Sequence, residues 1–154
     1  MKTIHLHTEI NASPEICFDL SRSVEVHLAS TKETNEKAVA GRMTGLCEAG
    51  DLITWRAKHF GIYQFLTVKI TSLTYPTHFQ DQMVKGAFAS FTHDHYFHSK
   101  GDKTLMEDVF TFSAPLGPLG LLAERIFLEQ YMRQLLVKRN AVIKALAEIG
   151  EREQ

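Results

Sequence analysis

Five successive segments between Leu52 and Ser113 alternate apolar and polar residues, and this alternation constrains the fold more than any other feature of the chain. Alternation with a period of two is typical of a strand that buries one face. Turn-forming residues separate the segments, and Gly101-Asp102 is the clearest hairpin turn. The predicted strands are Leu52–Phe60, Tyr63–Thr74, His78–Lys85, Phe88–His98 and Thr104–Ser113.

One earlier strand and two short helices are predicted before these segments. Ser13, Pro14 and Glu15 are typical of a helix start, because they suit the cap, the first helical position and the positive end of the helix dipole. A second short helix is predicted around Ser23–Ser30, and Lys37–Val39 is a candidate short strand. The first strand places on one face the residues Ile4, Leu6, Thr8 and Ile10.

A long helix without internal Gly or Pro is predicted after Gly120 and ends near Glu148. Its apolar residues do not follow one uniform stripe, so we expect a bend near Ile126–Phe127. Arg139 is expected at the surface, although it lies near the apolar stripe and could instead reach an internal acid. The stripe predicted to pack on the sheet is Leu128, Met132, Leu135, Val142 and Leu146.

This order of elements predicts an α+β fold with an antiparallel sheet rather than repeated strand–helix–strand units. Six or seven strands accompany one long helix, so the sheet is expected to curve around the helix. Because one helix fills only part of a concave sheet, an internal cavity for a small ligand is expected between them.

Alternation also predicts which side chains face that cavity. Aromatic residues occupy one face of each of three strands, while the opposite face is mostly small, polar or charged. The inward faces are expected to form a ligand-binding site of Trp55, His59, Phe91, His93, His95, Phe97, Met106, Asp108, Phe110 and Phe112.

The polar members of this set, His59, His93, His95 and Asp108, allow several interpretations. A buried imidazole or carboxylate needs a partner, so the cluster could serve only to satisfy itself and fix strand register. It could also orient a ligand's polar end, hold a metal ion or carry out acid–base catalysis. Two histidines on one strand are weak support for a metal, so we assign no metal ligand, catalytic residue or cofactor.

Length and charge narrow the class of protein further. The 154 residues suit one domain spanning residues 1–154, and the net charge of −1 is not the basic footprint typical of nucleic-acid binding. The two cysteines, Cys17 and Cys47, are expected to be reduced thiols. No secretory signal and no apolar run of about 18 residues is found, so a cytoplasmic location without a membrane span is expected.

Several segments resemble the SRPBCC superfamily, the START-like, polyketide-cyclase-like and birch-pollen-allergen-like group. The resemblance covers nearly the whole chain, and Asn140 stands where its members often have a histidine after the helix arginine. The segments are Asp51–Gly61, Lys85–Phe88, His93–Phe97, Met106–Val109 and Pro115–Gly120. The resemblance implies a helix-grip fold with a hydrophobic cavity, in a group whose members bind lipids, sterols or hormones or act as cyclases.

Three functional hypotheses follow. The first is non-catalytic binding of a small, largely hydrophobic molecule, lipid-like or aromatic, with one polar end. The second is a cyclase, dehydratase or hydrolase that uses a cavity histidine with Asp108. The third is a regulatory interaction module with an apolar patch near Pro115–Leu122. The sequence does not specify the oligomeric state.

Overall fold

A computed structural model describes residues 1–114 and 127–153. Within these residues the chain forms seven strands, three α-helices and a 3-10 turn at Lys32–Thr34. The strands are β1 (Lys2–Ile10), β2 (Lys37–Gly41), β3 (Leu52–His59), β4 (Ile62–Thr74), β5 (His78–Lys85), β6 (Ser90–Lys100) and β7 (Lys103–Ser113). The helices are α1 (Pro14–Ser21), α2 (Val24–Ser30) and α3 (Glu129–Arg152).

Serine side chains begin the two short helices. The Ser13 hydroxyl accepts a hydrogen bond from the backbone N–H of Ile16 at 3.3 Å, and Pro14 is the first residue of α1. Ser23 caps α2 in the same way through the N–H of Val26 at 3.2 Å. These contacts satisfy N–H groups that have no partner inside a helix, and they confirm the two predicted helices.

All seven strands form one antiparallel sheet in the order β1-β7-β6-β5-β4-β3-β2. Each of β3 to β6 pairs with the next strand along the chain, as short hairpin connections require, while β1 pairs with β7 along its whole length. The turn at Gly101 has a φ of 67°, and Lys100 pairs with Lys103 across it. The predicted antiparallel sheet is therefore confirmed.

Several strand ends differ from the prediction by one or two residues. β2 extends to Gly41, because a register shift between Ala38 and Ala40 allows Gly41 to pair with Ile53. β6 runs from Ser90 to Lys100 rather than from Phe88 to His98. Hydrogen-bonding register sets these ends, and alternation of residue types does not report it.

The buried face of α3 is different from the predicted apolar stripe. Its buried residues are Leu136, Arg139, Asn140, Ile143 and Ala147. The prediction for Leu146 is wrong, because this side chain is 39% exposed. The true stripe includes two polar residues, so choosing apolar residues alone shifted the predicted face around the helix. The expected bend near residues 126–127 falls partly outside the described residues.

The remaining core follows the alternation. Strands β6 and β7 bury every second residue, including Phe91, Phe97, Met106 and Phe112. A second group of buried side chains packs α1 against the far end of the sheet, where the Phe18 ring lies 5.2 Å from that of Phe97. Free volume remains beside the other group of core side chains, which includes Ile53, Trp55 and Phe91.

A cavity with a buried polar cluster

A cavity of about 270 Å³ lies between the concave face of the sheet and helices α2 and α3. This volume lies just below the roughly 300–1,000 Å³ typical of ligand pockets, so it suits a molecule at the small end of that range. Most of the wall is apolar, and among the described residues it includes Trp55, Leu66, Phe91, Phe110, Met132 and Leu136.

The predicted site residues divide into two groups. Six line the cavity: Trp55, His59, Phe91, His93, His95 and Phe110. Phe97 and Met106 instead pack in the region covered by α1, and the ring of Phe112 lies 5.6 Å from that of Phe88. Asp108 is fully buried behind the cavity histidines. Alternation correctly identifies the inward face, but it does not report which part of a long strand lies beside the cavity.

Two histidine–carboxylate pairs form the polar end of the cavity. Nε2 of His93 lies 2.8 Å from Oδ1 of Asp108, and Nε2 of His95 lies 2.8 Å from Oδ2 of Asp81. The two imidazole rings lie 3.8 Å apart between their centroids. Asp81 comes from β5, and its alternation with Phe79 and Met83 could have identified it as an inward residue.

Arg139 completes this group, which we call the polar cluster: Asp81, His93, His95, Asp108 and Arg139. The expectation of a surface arginine is wrong, because Arg139 is only 7% exposed. Its Nη1 donates to Oδ1 of Asn140 at 2.9 Å and lies 3.4 Å from Oδ1 of Asp108. Its Nη2 lies 3.4 Å from Nδ1 of His95. A buried cation requires a counter-charge, and Asp108 provides it.

Burial and hydrogen bonding act on these groups in opposite directions. Burial disfavours ionisation of Asp108, but hydrogen bonds from His93 and His95 outweigh it and hold the pKa of that carboxyl well below its usual range. The pKa of Asp81 is lowered for the same reason, chiefly through His95. The cluster therefore holds both carboxylates in their ionised form.

The two imidazoles are driven apart in pKa. Burial and the adjacent His95 lower the pKa of His93. Burial also disfavours the charged form of His95, but the hydrogen bonds to Asp108 and Asp81 raise its pKa overall. The rings lie too close for both to carry a charge readily, and the opposite pKa shifts favour His95 over His93 as the charged ring.

His59 lies apart from the polar cluster. Its Nδ1 shares a hydrogen bond of 2.6 Å with the hydroxyl of Tyr131, and burial lowers its pKa. A further polar pair on the wall joins Nε2 of His27 to Glu36 at 2.7 Å, with the His27 ring 4.2 Å from that of Trp55. The sequence prediction missed these partners because they come from helices and the β2 region.

Solved structures resemble this chain over almost its full length, whereas no protein-family model and no curated protein sequence matches it. A protein from Thermus thermophilus superposes with a TM-score of 0.73 at 17% identity, covering 95% of this chain and 99% of that one. A START superfamily protein from Mycobacterium smegmatis gives 0.71 at 14% identity, and major latex-like protein 151 from Panax ginseng gives 0.69 at 14%. Both cover 95% of this chain and 97% of their own.

The chain has the helix-grip fold. The fold implied by the sequence resemblance is therefore confirmed, with seven strands, two short helices after β1 and a long C-terminal helix. At these identities the likeness is one of fold. No helix among residues 1–114 and 127–153 is both long and apolar enough to cross a bilayer.

Within this helix-grip fold, Asp81, His93 and His95 offer three ligand atoms within 4.8 Å of one another, a spacing that could hold a metal ion. Both imidazole Nε2 atoms are already hydrogen-bonded to carboxylates. The guanidinium of Arg139 would add a positive charge 3.4 Å from His95, directly beside any cation. The arrangement is therefore better suited to hydrogen-bonding a neutral or polar group than to coordinating an ion.

Proposed function

We propose that this helix-grip protein binds a small, largely apolar molecule in the cavity and does not transform it. The observation that carries this proposal is an apolar cavity whose inner wall includes the histidines of a buried polar cluster. Such a combination provides burial for the body of a ligand and a fixed direction for its polar end. The apolar contacts would include Trp55, Phe91 and Phe110.

Burial in this cavity supplies enough free energy for useful affinity. Each 100 Å² or so of apolar ligand surface removed from water contributes about 2.5 kcal/mol, nearly two powers of ten in Kd. Association and ordering costs reduce that gain. Micromolar binding of a lipid-like or aromatic molecule is therefore the expected range.

Native mass spectrometry of freshly purified protein, followed by organic extraction, tests the proposal. A released lipid-like or aromatic molecule would support it and identify the ligand class. Trp55 gives a second readout, because it is the single tryptophan of the chain and lies on the cavity wall. Cavity ligands should change its emission, and in a Trp55→Phe variant binding should persist by calorimetry while this signal disappears.

A second candidate function is supported by the close contact of the His93 and His95 rings, 3.8 Å between centroids, together with their opposite pKa shifts. Pairs of groups with divergent pKa values are typical of acid–base catalysis. A cyclase, dehydratase or hydrolase would use the neutral His93 as base and Asp108 to orient it. Incubating the extracted ligand with the protein and following its mass would decide between these functions, because a carrier returns the molecule unchanged.

We also propose a cytoplasmic location and no nucleic-acid partner. Cys17 and Cys47 are both free and buried, which is compatible with a reducing compartment. The net charge of −1 is not the basic footprint typical of nucleic-acid binding. Fractionation of cells that produce the protein, with detection by antibody, tests the location, and recovery of the protein outside the cytoplasm would contradict it.

A further inference from the structure

One nitrogen of the polar cluster faces the cavity without a partner. Nε2 of His93 is hydrogen-bonded to Asp108, but Nδ1 of His93 has no hydrogen-bond partner within residues 1–114 and 127–153. In that part of the chain, Nε of Arg56 is the one fully buried side-chain nitrogen or oxygen that has no hydrogen-bond partner. Nδ1 of His93 is unpaired but is not in that class, so it retains some accessible surface. His93 lines the cavity, so its remaining exposed surface belongs to the ligand site.

The partner of Nε2 decides which kind of hydrogen bond Nδ1 can make. Asp108 is fully buried, receives a hydrogen bond of 2.7 Å from Nδ2 of Asn140 and lies 3.4 Å from Nη1 of Arg139. These contacts keep it a carboxylate, which only accepts hydrogen bonds. Nε2 of His93 must therefore carry the proton, and in the neutral ring Nδ1 is left with a lone pair.

The positive charges of the cluster are already balanced. Arg139 lies beside Asp108, and His95 lies between Asp108 and Asp81 at 3.4 and 2.8 Å. The other arginine on the cavity wall, Arg22, is paired with Asp19 and Glu48. No cation on the described wall is left over to neutralise an anionic ligand.

We propose that the polar cluster selects neutral ligands that carry a hydrogen-bond donor, an alcohol or a phenol, and that this donor binds Nδ1 of His93. The inference rests on the proposed binding function and specifies its ligand class. An ether or ester of the same shape offers only acceptors, so its oxygen would face the lone pair of Nδ1 unpaired. A carboxylate would add a charge that no group of the wall neutralises.

Three probes of similar length test this selection in the unmodified protein: 1-nonanol, its acceptor-only isostere 1-methoxyoctane, and nonanoate. Binding is followed by Trp55 emission at a pH above neutrality, where nonanoate is ionised. A neutral hydrogen bond is worth roughly threefold to tenfold in Kd, so nonanol should bind that much more tightly than the ether. Nonanoate should bind more weakly than nonanol.

The outcomes distinguish a failure of the cavity-binding function from a failure of the donor selection alone. If none of the three probes binds, the cavity-binding function itself is refuted, and this inference with it. If the ether binds as tightly as the alcohol, or nonanoate binds more tightly than nonanol, only the donor selection is refuted and the binding function stands.

Nitrogen-15 NMR of the histidine side chains gives a direct second readout. The Nδ1 resonance of His93 should have the shift of an unprotonated nitrogen and should move when nonanol, but not methoxyoctane, is added. A protonated Nδ1 in the free protein would overturn the inference.

A variant pair gives an independent check. His93→Phe removes the acceptor and should reduce the preference for nonanol over methoxyoctane to about twofold or less. His98→Phe is the matched control, because His98 lies on the same strand with its side chain 46% exposed. It should retain the full preference. If His93→Phe does not fold, the comparison of the three probes and the NMR shift still decide the matter.

Discussion

Replacing Asp108 by asparagine should destabilise the protein more than any comparable change on the sheet. Asp108 is fully buried, accepts hydrogen bonds from His93 at 2.8 Å and Asn140 at 2.7 Å, and is the counter-charge of Arg139 at 3.4 Å. Asparagine keeps the volume but leaves the buried guanidinium without a negative partner. Removing one member of a buried ion pair costs about 3–5 kcal/mol, so we expect a loss of that size.

Urea unfolding near neutral pH measures this loss, and Asp94→Asn is its matched control. Asp94 accepts a hydrogen bond of 2.8 Å from His78 and one of 2.9 Å from Gln80, but it lies on the opposite face of β6 with its side chain 20% exposed. Partly solvated pairs contribute about 1 kcal/mol or less. Equal losses for the two variants would refute the argument that burial makes the Asp108 pair different.

The pH dependence provides a second criterion for the same variant. The pKa of Asp108 in the folded state is well below its ordinary value of 3.8. A depressed carboxyl pKa stabilises the fold fully above the unfolded value, and the contribution declines as pH falls toward the folded pKa. The stability gap between the native protein and Asp108→Asn should therefore stay constant above about pH 5 and narrow below about pH 4. A stability gap that widened as the pH fell would contradict the role of Asp108 as an ionised, buried counter-charge.

Three further predictions follow from single features of the structure. The pKa of His95 is raised above 6.5, so His95→Gln should destabilise most below pH 6.5, and urea unfolding should show a smaller loss well above it. Burial raises the pKa of both Cys17 and Cys47 to about 11, so a thiol reagent should label neither in the native protein and both in denaturant. A Cβ on Gly41 would lie 2.0 Å from a backbone oxygen, whereas one on Gly50 would meet nothing, although both have positive φ. Thermal melting should therefore show a cost for Gly41→Ala about 1–3 kcal/mol larger than for Gly50→Ala, and similar melting would contradict it.

The inward faces of β3, β6 and β7 are predicted from the sequence alone. His93, His95 and Asp108 were predicted to share one interior, and all three are buried there. Side chains alternate strictly along a strand, so the apolar pattern determines the face without knowledge of the rest of the fold. The order of elements, the antiparallel sheet and the single long helix follow from the same local rules.

Contacts between distant segments required the tertiary structure. Arg139 lies on a helix beside an apolar stripe, and a charged residue in that position can face either the solvent or the interior. Only the position of Asp108 opposite Arg139 determines that this side chain is buried. Asp81 reaches His95 because β5 pairs with β6, with Phe79 opposite His95 and Asp81 opposite His93.

For the residues around the cavity, too, the sequence determines one property and the tertiary structure another. The sequence determined that aromatic side chains such as Phe91, Phe97 and Phe112 face inward, but helix docking decided that Phe91 alone among these three borders the free volume. Periodicity is a local property of the chain, whereas a cavity is the space that several packed elements leave unfilled. Its position therefore depends on where α1, α2 and α3 contact the sheet, which no single segment encodes.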